Sequence, residues 1–159
     1  MTKWIDYIGV AAAAIIYKPS AWILFVHRTQ ACRDERDKRD LIGGGVDFGD
    51  TLLTTIKKEI KEEVDLTITD DQINYLWHRE QFRDHNNQMT HRIWFYYFVI
   101  LEEDQEATVI ETHKFDDIRY FPLDALPSET ECHSMNYPTF REFKNQIESL
   151  TWKSLAINY

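Results

Sequence analysis

An α/β fold, with a mixed sheet flanked by helices, is what this chain predicts, and three features predict it. Apolar, β-rich runs stand before, between and after two segments of helical spacing. The first helical segment, residues 51–64, carries one apolar stripe between charged faces. The second, residues 138–150, places Phe140, Phe143, Ile147 and Leu150 at helical intervals. A length of 159 residues suits one domain with its own core, taken as residues 1–159.

Residues 8–17 and 22–27 are apolar runs separated by Lys18-Pro19-Ser20-Ala21, which reads as a hairpin. The first run is too short to cross a membrane and has no strong basic flank. It reads as a buried strand rather than a secretion signal. Residues 28–40 are highly charged and predict an exposed loop. Leu41 and Ile42 lead into a glycine turn, and a helix follows from about Thr51 to Val64 with Asp50 as its N-cap. Residues 67–72 read as a connector. Two strands, 73–82 and 91–101, are joined by the polar segment 84–89. The second of them is apolar almost throughout, so both of its faces are expected to be covered. A short strand at 118–121 precedes the closing helix.

Composition narrows the function. Apolar residues make up 43% and aromatic residues 14%, too high for a disordered chain. A formal net charge of −9 leaves no general basic field for nucleic acid or an anionic membrane. Cys32 and Cys132 match neither a disulfide framework nor a metal spacing, which points to a reducing cytoplasm. His78, His85, His91 and His113 show no ligand spacing, and nothing orients the Cys132-His133 pair as a nucleophile.

Residues 43–66 read GGGVDFGDTLLTTIKKEIKEEVDL. On a helix, Glu59, Glu62 and Glu63 fall within an arc of roughly 100°, within reach of one cation. Leu53, Ile56, Ile60 and Val64 form a separate apolar stripe, and Lys57, Lys58 and Lys61 take the remaining side. Hard oxygen ligands of this kind suit Mg²⁺ or Mn²⁺.

The spacing resembles the Nudix hydrolase signature, G-x5-E-x7-R-E-U-x-E-E-x-G-U, where U is a bulky aliphatic residue. Gly44 takes the first glycine position and Asp50 the first acidic one. Lys58-Glu59 matches the R-E pair, Ile60 the aliphatic, Glu62-Glu63 the paired glutamates and Leu66 the last aliphatic. Asp50 stands for Glu, Lys58 for Arg, Asp65 for Gly, and Ile42 where the family usually has proline. Of these, only Asp65 gives up the easy positive φ of glycine, which Asp tolerates better than most residues.

The resemblance implies an α/β/α sandwich over most of residues 7–127. It implies that Glu59, Glu62 and Glu63 hold Mg²⁺ or Mn²⁺, with the Gly43 carbonyl as a further ligand. The reaction it implies is cleavage of the pyrophosphate linkage in a nucleoside diphosphate joined to a further group, by metal-activated water attacking phosphorus. Nucleoside triphosphates and nucleotide sugars are the expected substrates, and a homodimer the expected assembly. Either Glu59 or Glu111 would serve as base, with Asp116 and Asp117 competing for the role. Lys58 would orient the glutamates, more loosely than arginine could. Arg28, Gly43, Gly44 and Lys58 are the expected substrate contacts. Trp77, Phe82, Trp94 and Tyr96 are candidate platforms for a nucleobase. Two other readings stand beside this one: a weakly catalytic nucleotide-binding module, motivated by Lys58 and Asp65, and hydrolysis of a GDP-mannose type sugar nucleotide at carbon.

Overall fold

A computed structural model describes residues 8–20, 22–85 and 88–157, apart from the side chains of residues 84–88, 143 and 151–157. The expected roles of Ala21 in the first turn and of the His85 and Phe143 side chains therefore lie outside the described residues. The strands in chain order are β1 (Ile8–Lys18), β2 (Trp22–Arg28), β3 (Arg39–Asp40), β4 (Ile42–Gly45), β5 (Ile73–His85), β6 (Gln88–Ile100) and β7 (Phe115–Phe121). Helix α1 (Leu52–Val64) lies between β4 and β5, and α2 (Tyr137–Ile157) follows β7. One sheet contains all seven strands, with the order β3-β2-β1-β6-β5; β4 pairs with β1 and β7 with β2.

The run expected to be a buried strand is the axis of this sheet. β1 is parallel to β6 from Ile8 opposite His91 to Tyr17 opposite Ile100. Its other edge is shared. Ala11 to Ala14 run antiparallel to β4, and Tyr17 begins the hairpin to β2 opposite Ile23.

Alternation along β1 sends successive side chains to opposite faces. Ala12, Ala14 and Ile16 enter one core with Ile56, Ile60 and Val64 of α1. Ala13, Ile15 and Tyr17 enter a second core with Phe25 and with Phe140 and Ile147 of α2. Ile56, Ile60 and Val64 are wholly buried, each worth about 1.5–3 kcal/mol relative to exposure. The result is the expected mixed sheet between helices. The core face of β6 is covered on both sides from Tyr96 to Val99, while residues 91–95 are only partly buried.

Three local expectations are corrected and a fourth is refined. The glycine turn is strand β4, because the small residues of β1 and β4 let the two backbones pair. The N-cap of α1 is Thr51, not Asp50: the Thr51 hydroxyl accepts from the Thr54 N–H, so the cap falls one residue later. The charged segment 28–40 is not simply exposed. It ends in β3, and the side chains of Asp34 and Glu35 are only 19% and 16% exposed because distant arginines draw them in. The 67–72 connector closes with a single 3-10 turn, Asp70–Gln72.

Candidate active site

Helix α1 presents its acidic face toward β4 and the segment before β7. At the C-terminus of α1, Asp65 adopts the left-handed conformation, φ 55°, and its N–H bonds the Lys61 carbonyl. That is the geometry the glycine of the signature would supply, and Asp accepts it. The N–H groups of Thr108 and Ile110 donate to the Val64 and Glu63 carbonyls at 3.0 and 3.1 Å. These bonds satisfy carbonyls that the helix end leaves open, and they fix the incoming chain so that Glu111 arrives beside the helix.

Glu63 is 3% exposed, and the Gly43 N–H donates to its Oε2 at 3.3 Å. Burial pushes its pKa well up, with Glu59 adding to the shift and Lys114 opposing it. Burial also raises Glu59; Lys114 opposes that shift, while Glu62 and Glu111 add to it. Lys114 sits among them, 2.6 Å from Glu111 and 4.0 Å from Glu63. Burial works against the Lys114 charge, yet Glu111, Glu63 and Glu59 hold its pKa up. Four carboxylates thus share one neighbourhood, with the Lys114 ammonium among them and Lys58 acting on Glu59 and Glu62 from the helix surface. Lys114 was not singled out in the sequence; its three-residue spacing from Glu111 was the available signal.

The glycines make this approach feasible. A Cβ on Gly44 would stand 2.3 Å from Glu59 Oε1, and one on Gly43 would stand 2.3 Å from the Ala12 carbonyl oxygen. Gly44 leaves room for a glutamate, and Gly43 leaves room for the β1 backbone.

Other expected site residues have different partners. Lys58 pairs with Asp47 at 2.7 Å and approaches Asp50 at 4.0 Å, so its hydrogen-bond partner is not a glutamate. Arg28 pairs with Asp40 at 2.8 Å and Asp34 at 3.2 Å, with only 16% of its side chain exposed. Asp116 contacts His27 at 2.7 Å and Asp117 contacts Arg39 at 2.6 Å, so neither joins the glutamate cluster. Tyr96 is fully buried, and Trp77 packs against it. Phe82 is exposed and stacks on His91. Trp94 alone of the four aromatic candidates lines a cavity walled by the β4 glycines. Burial and the nearby Asp40 push the Cys132 thiol up to about 12, which leaves it unreactive at neutral pH.

That cavity encloses about 400 Å³ on the α2 side of the sheet. Gly43, Gly44 and Gly45 form part of its wall, and Arg28, Asp34 and Asp40 another. Gly44 therefore borders both the cavity and Glu59.

Among the described residues, no three His, Cys, Asp or Glu side chains already stand close enough to hold a metal ion. The donor set nevertheless fits a hard divalent cation. It consists of carboxylate oxygens whose mutual repulsion and burial raise the cost of their charge. Among the described residues, no helix is long and apolar enough to cross a membrane.

The NUDIX domain family matches residues 8–143. This chain belongs to the NUDIX family. No curated protein sequence matches it significantly. Solved structures share its fold. The MutT NUDIX hydrolase from Burkholderia pseudomallei is 21% identical and superposes with a TM-score of 0.72, covering 86% of this chain and 98% of its own. The MutT protein from Methanosarcina mazei Go1 is 13% identical, with a TM-score of 0.69 and coverages of 91% and 98%. A bifunctional NMN adenylyltransferase/ADP ribose pyrophosphatase from Francisella tularensis, complexed with AMP and Mn ion, is 15% identical. Its TM-score is 0.66, covering 91% of this chain and 43% of its own. Within the NUDIX box, Ile42, at the usual proline position, is a fully buried core residue.

Proposed function

We propose that this NUDIX chain is a Mg²⁺- or Mn²⁺-dependent hydrolase of the pyrophosphate linkage in a nucleoside diphosphate joined to a further group. The observation that carries the reading is the convergence of Glu59, Glu62, Glu63 and Glu111 beside β4, with Gly44 bordering both Glu59 and a cavity of small-molecule size. The family match supports an enzyme of this class. A fold neighbour titled as binding AMP and Mn ion supports a nucleotide substrate and a divalent metal.

Glu59, Glu62 and Glu63, with the Gly43 carbonyl, would hold the cation. When bound, it would neutralise diphosphate oxygens and acidify water. The chain's own residues do the rest. Lys114 favours the ionised form of Glu59 and Glu63, keeping them ready as ligands. Glu111, partly covered and at the edge of the cluster, would take the proton from the attacking water, with Glu59 as the alternative base. The water oxygen bonds to one phosphorus and the bridging P–O bond breaks. A second phosphate leaves on the other product, so the products are two phosphorylated fragments, or one fragment and pyrophosphate. The Gly43 N–H orients Glu63.

We take residues 1–159 as one such domain, acting on a small nucleotide in the cytoplasm. The test is a panel of nucleoside triphosphates and nucleotide sugars with Mg²⁺ or Mn²⁺. Products would be resolved by mass after reaction in ¹⁸O-water. Label on phosphate is expected; label on a sugar carbon would mean attack at carbon, and no turnover on any substrate would sink the hydrolase reading. Binding without turnover is the outcome a nucleotide-sensing module would give. The Lys58–Asp47 pair is the feature that favours that second reading, because the lysine spends its hydrogen bond on Asp47 rather than on a glutamate.

A further inference from the structure

We propose that the cavity on the α2 side of the sheet takes an anionic group of the substrate, a phosphate or carboxylate beyond the diphosphate, and that Arg92 is the residue that reads it. This rests on the hydrolase reading for the word substrate; the anion site itself does not depend on turnover.

The first support is charge. Arg28, Arg33, Arg83 and Arg92 line the cavity against only Asp34 and Asp40. Counting Glu35, which pairs with Arg83, four positive groups stand over three negative ones, an excess of one positive charge in a chain whose net charge is −9. A concave surface opposite in sign to the rest of the molecule concentrates anions.

The second support is how those arginines are used. Arg28 is held by Asp40 and Asp34 at 2.8 and 3.2 Å. Arg83 is held by Asp34 and Glu35 at 3.0 and 3.4 Å. Arg33 only approaches Asp34, at 3.9 Å, and is 69% exposed. The Arg92 side chain makes no ion pair or hydrogen bond among the described residues, although it is partly buried. A half-covered guanidinium gives up hydration, and its planar fork matches the oxygens of a phosphate or carboxylate.

The third support is that the fold makes space for this side chain. Arg92 on β6 sits opposite Gly9 of β1 and Gln81 of β5. A Cβ on Gly9 would meet Arg92 Cγ at 3.2 Å, so the glycine leaves the arginine stem room to lie across β1. Two residues along the same face, Trp94 also lines the cavity, and its indole N–H donates to Gln81 Oε1 at 3.3 Å. Arg92 is thereby placed on a rigid sheet, in a cavity whose wall includes Gly44, the glycine that lies against Glu59. A substrate whose diphosphate lies at the glutamates can extend its far end past the glycines toward Arg92.

The experiment measures binding to the full chain by calorimetry with Ca²⁺ in place of Mg²⁺, so that a hard cation can seat the diphosphate, using UDP-glucose and UDP-glucuronate, a pair differing by one carboxylate. Inorganic phosphate as competitor tells a general oxyanion site from a sugar-acid site. The glucuronate is expected to bind about tenfold more tightly, as one charge-assisted contact allows. Arg92→Met should abolish the gap, and Arg92→Lys should keep part of it. Lys retention guards against a mere folding failure of the Met variant, checked by circular dichroism. Equal affinity for the two compounds, or a gap that survives Arg92→Met, overturns the proposal. A gap without turnover of any member of the nucleotide panel under Mg²⁺ would preserve the anion site and remove the hydrolase reading; turnover without a gap would do the reverse.

Discussion

Helix α1 and the cavity across β4 are opposite solutions to holding charge, separated by the thickness of one glycine strand. On α1 the charges come from residues three and four apart on a single helix, so like charges crowd and burial raises the pKa of Glu59 and Glu63. In the cavity the charges come from separate segments, and most of the arginines meet an aspartate or glutamate. The difference teaches that the acidic face is short of positive charge by local construction. The basic face is nearly balanced by tertiary construction, with Arg92 left over.

Changing Glu62 or Glu63 to Gln should cut kcat by roughly two to three orders of magnitude, the scale seen when one preorganised charged group is lost. Activity within tenfold of the parent would mean that the acidic side of the comparison is not the chemical side. Next in size is Arg28→Met. It strands Asp40, 7% exposed, without its ionic partner. Breaking a buried pair costs about 3–5 kcal/mol. A chain of this size should then melt roughly 10 °C lower. If Tm holds while KM for nucleotide rises, Arg28 is a substrate contact rather than a wall support.

The two glycines should separate stability from activity. Gly43→Ala drives a Cβ into the Ala12 carbonyl, which cannot swing away, and should lower Tm by several degrees. Gly44→Ala meets only the movable end of Glu59, so Tm should hardly change while kcat falls about tenfold. Equal effects at both positions would contradict the division of roles along β4.

A smaller effect concerns pH. Glu63 has a raised pKa in the folded chain. Below the ordinary carboxylate range it is protonated in folded and unfolded chains alike, and costs nothing. As pH rises, the unfolded chain ionises first and folding loses stability until the folded group ionises too. Metal-free Glu63→Gln should therefore melt a few degrees above the parent at pH 7 and match it near pH 3, as followed by thermal denaturation in EDTA. The smallest effect is Lys58→Met, which removes an exposed pair with Asp47 and should leave Tm unchanged. A large loss of kcat in that variant would show that Lys58 leaves Asp47 for the glutamates during turnover.

Much of the fold was legible because its signals are local. Alternation and helical period mark β1, β2, β5, β6 and α1 within a few residues of their ends, and the start of α2, which runs seven residues beyond the expected end at Leu150. β4 was not legible: three glycines read as a turn until Ala11 to Ala14 supply a partner. The cap on Thr51 was missed by one residue, since Asp and Thr both make good caps and only the backbone direction chooses between them. Segment 28–40 read as a solvated loop because Arg83 and Ser134, which bind Glu35, are far along the chain.

The sequence by itself determined the acidic triad and its separation from the apolar stripe, because a helix converts spacing directly into a face. It also determined that the glycines precede that helix at the NUDIX interval, and hence the family. Only the tertiary structure decided what surrounds them. It brought Glu111 and Lys114 to the glutamates through bonds to the end of α1, gave Lys58 to Asp47 and Arg28 to Asp40, and left Arg92 facing a cavity. Those pairings depend on distances between residues dozens of positions apart, and no local period encodes them.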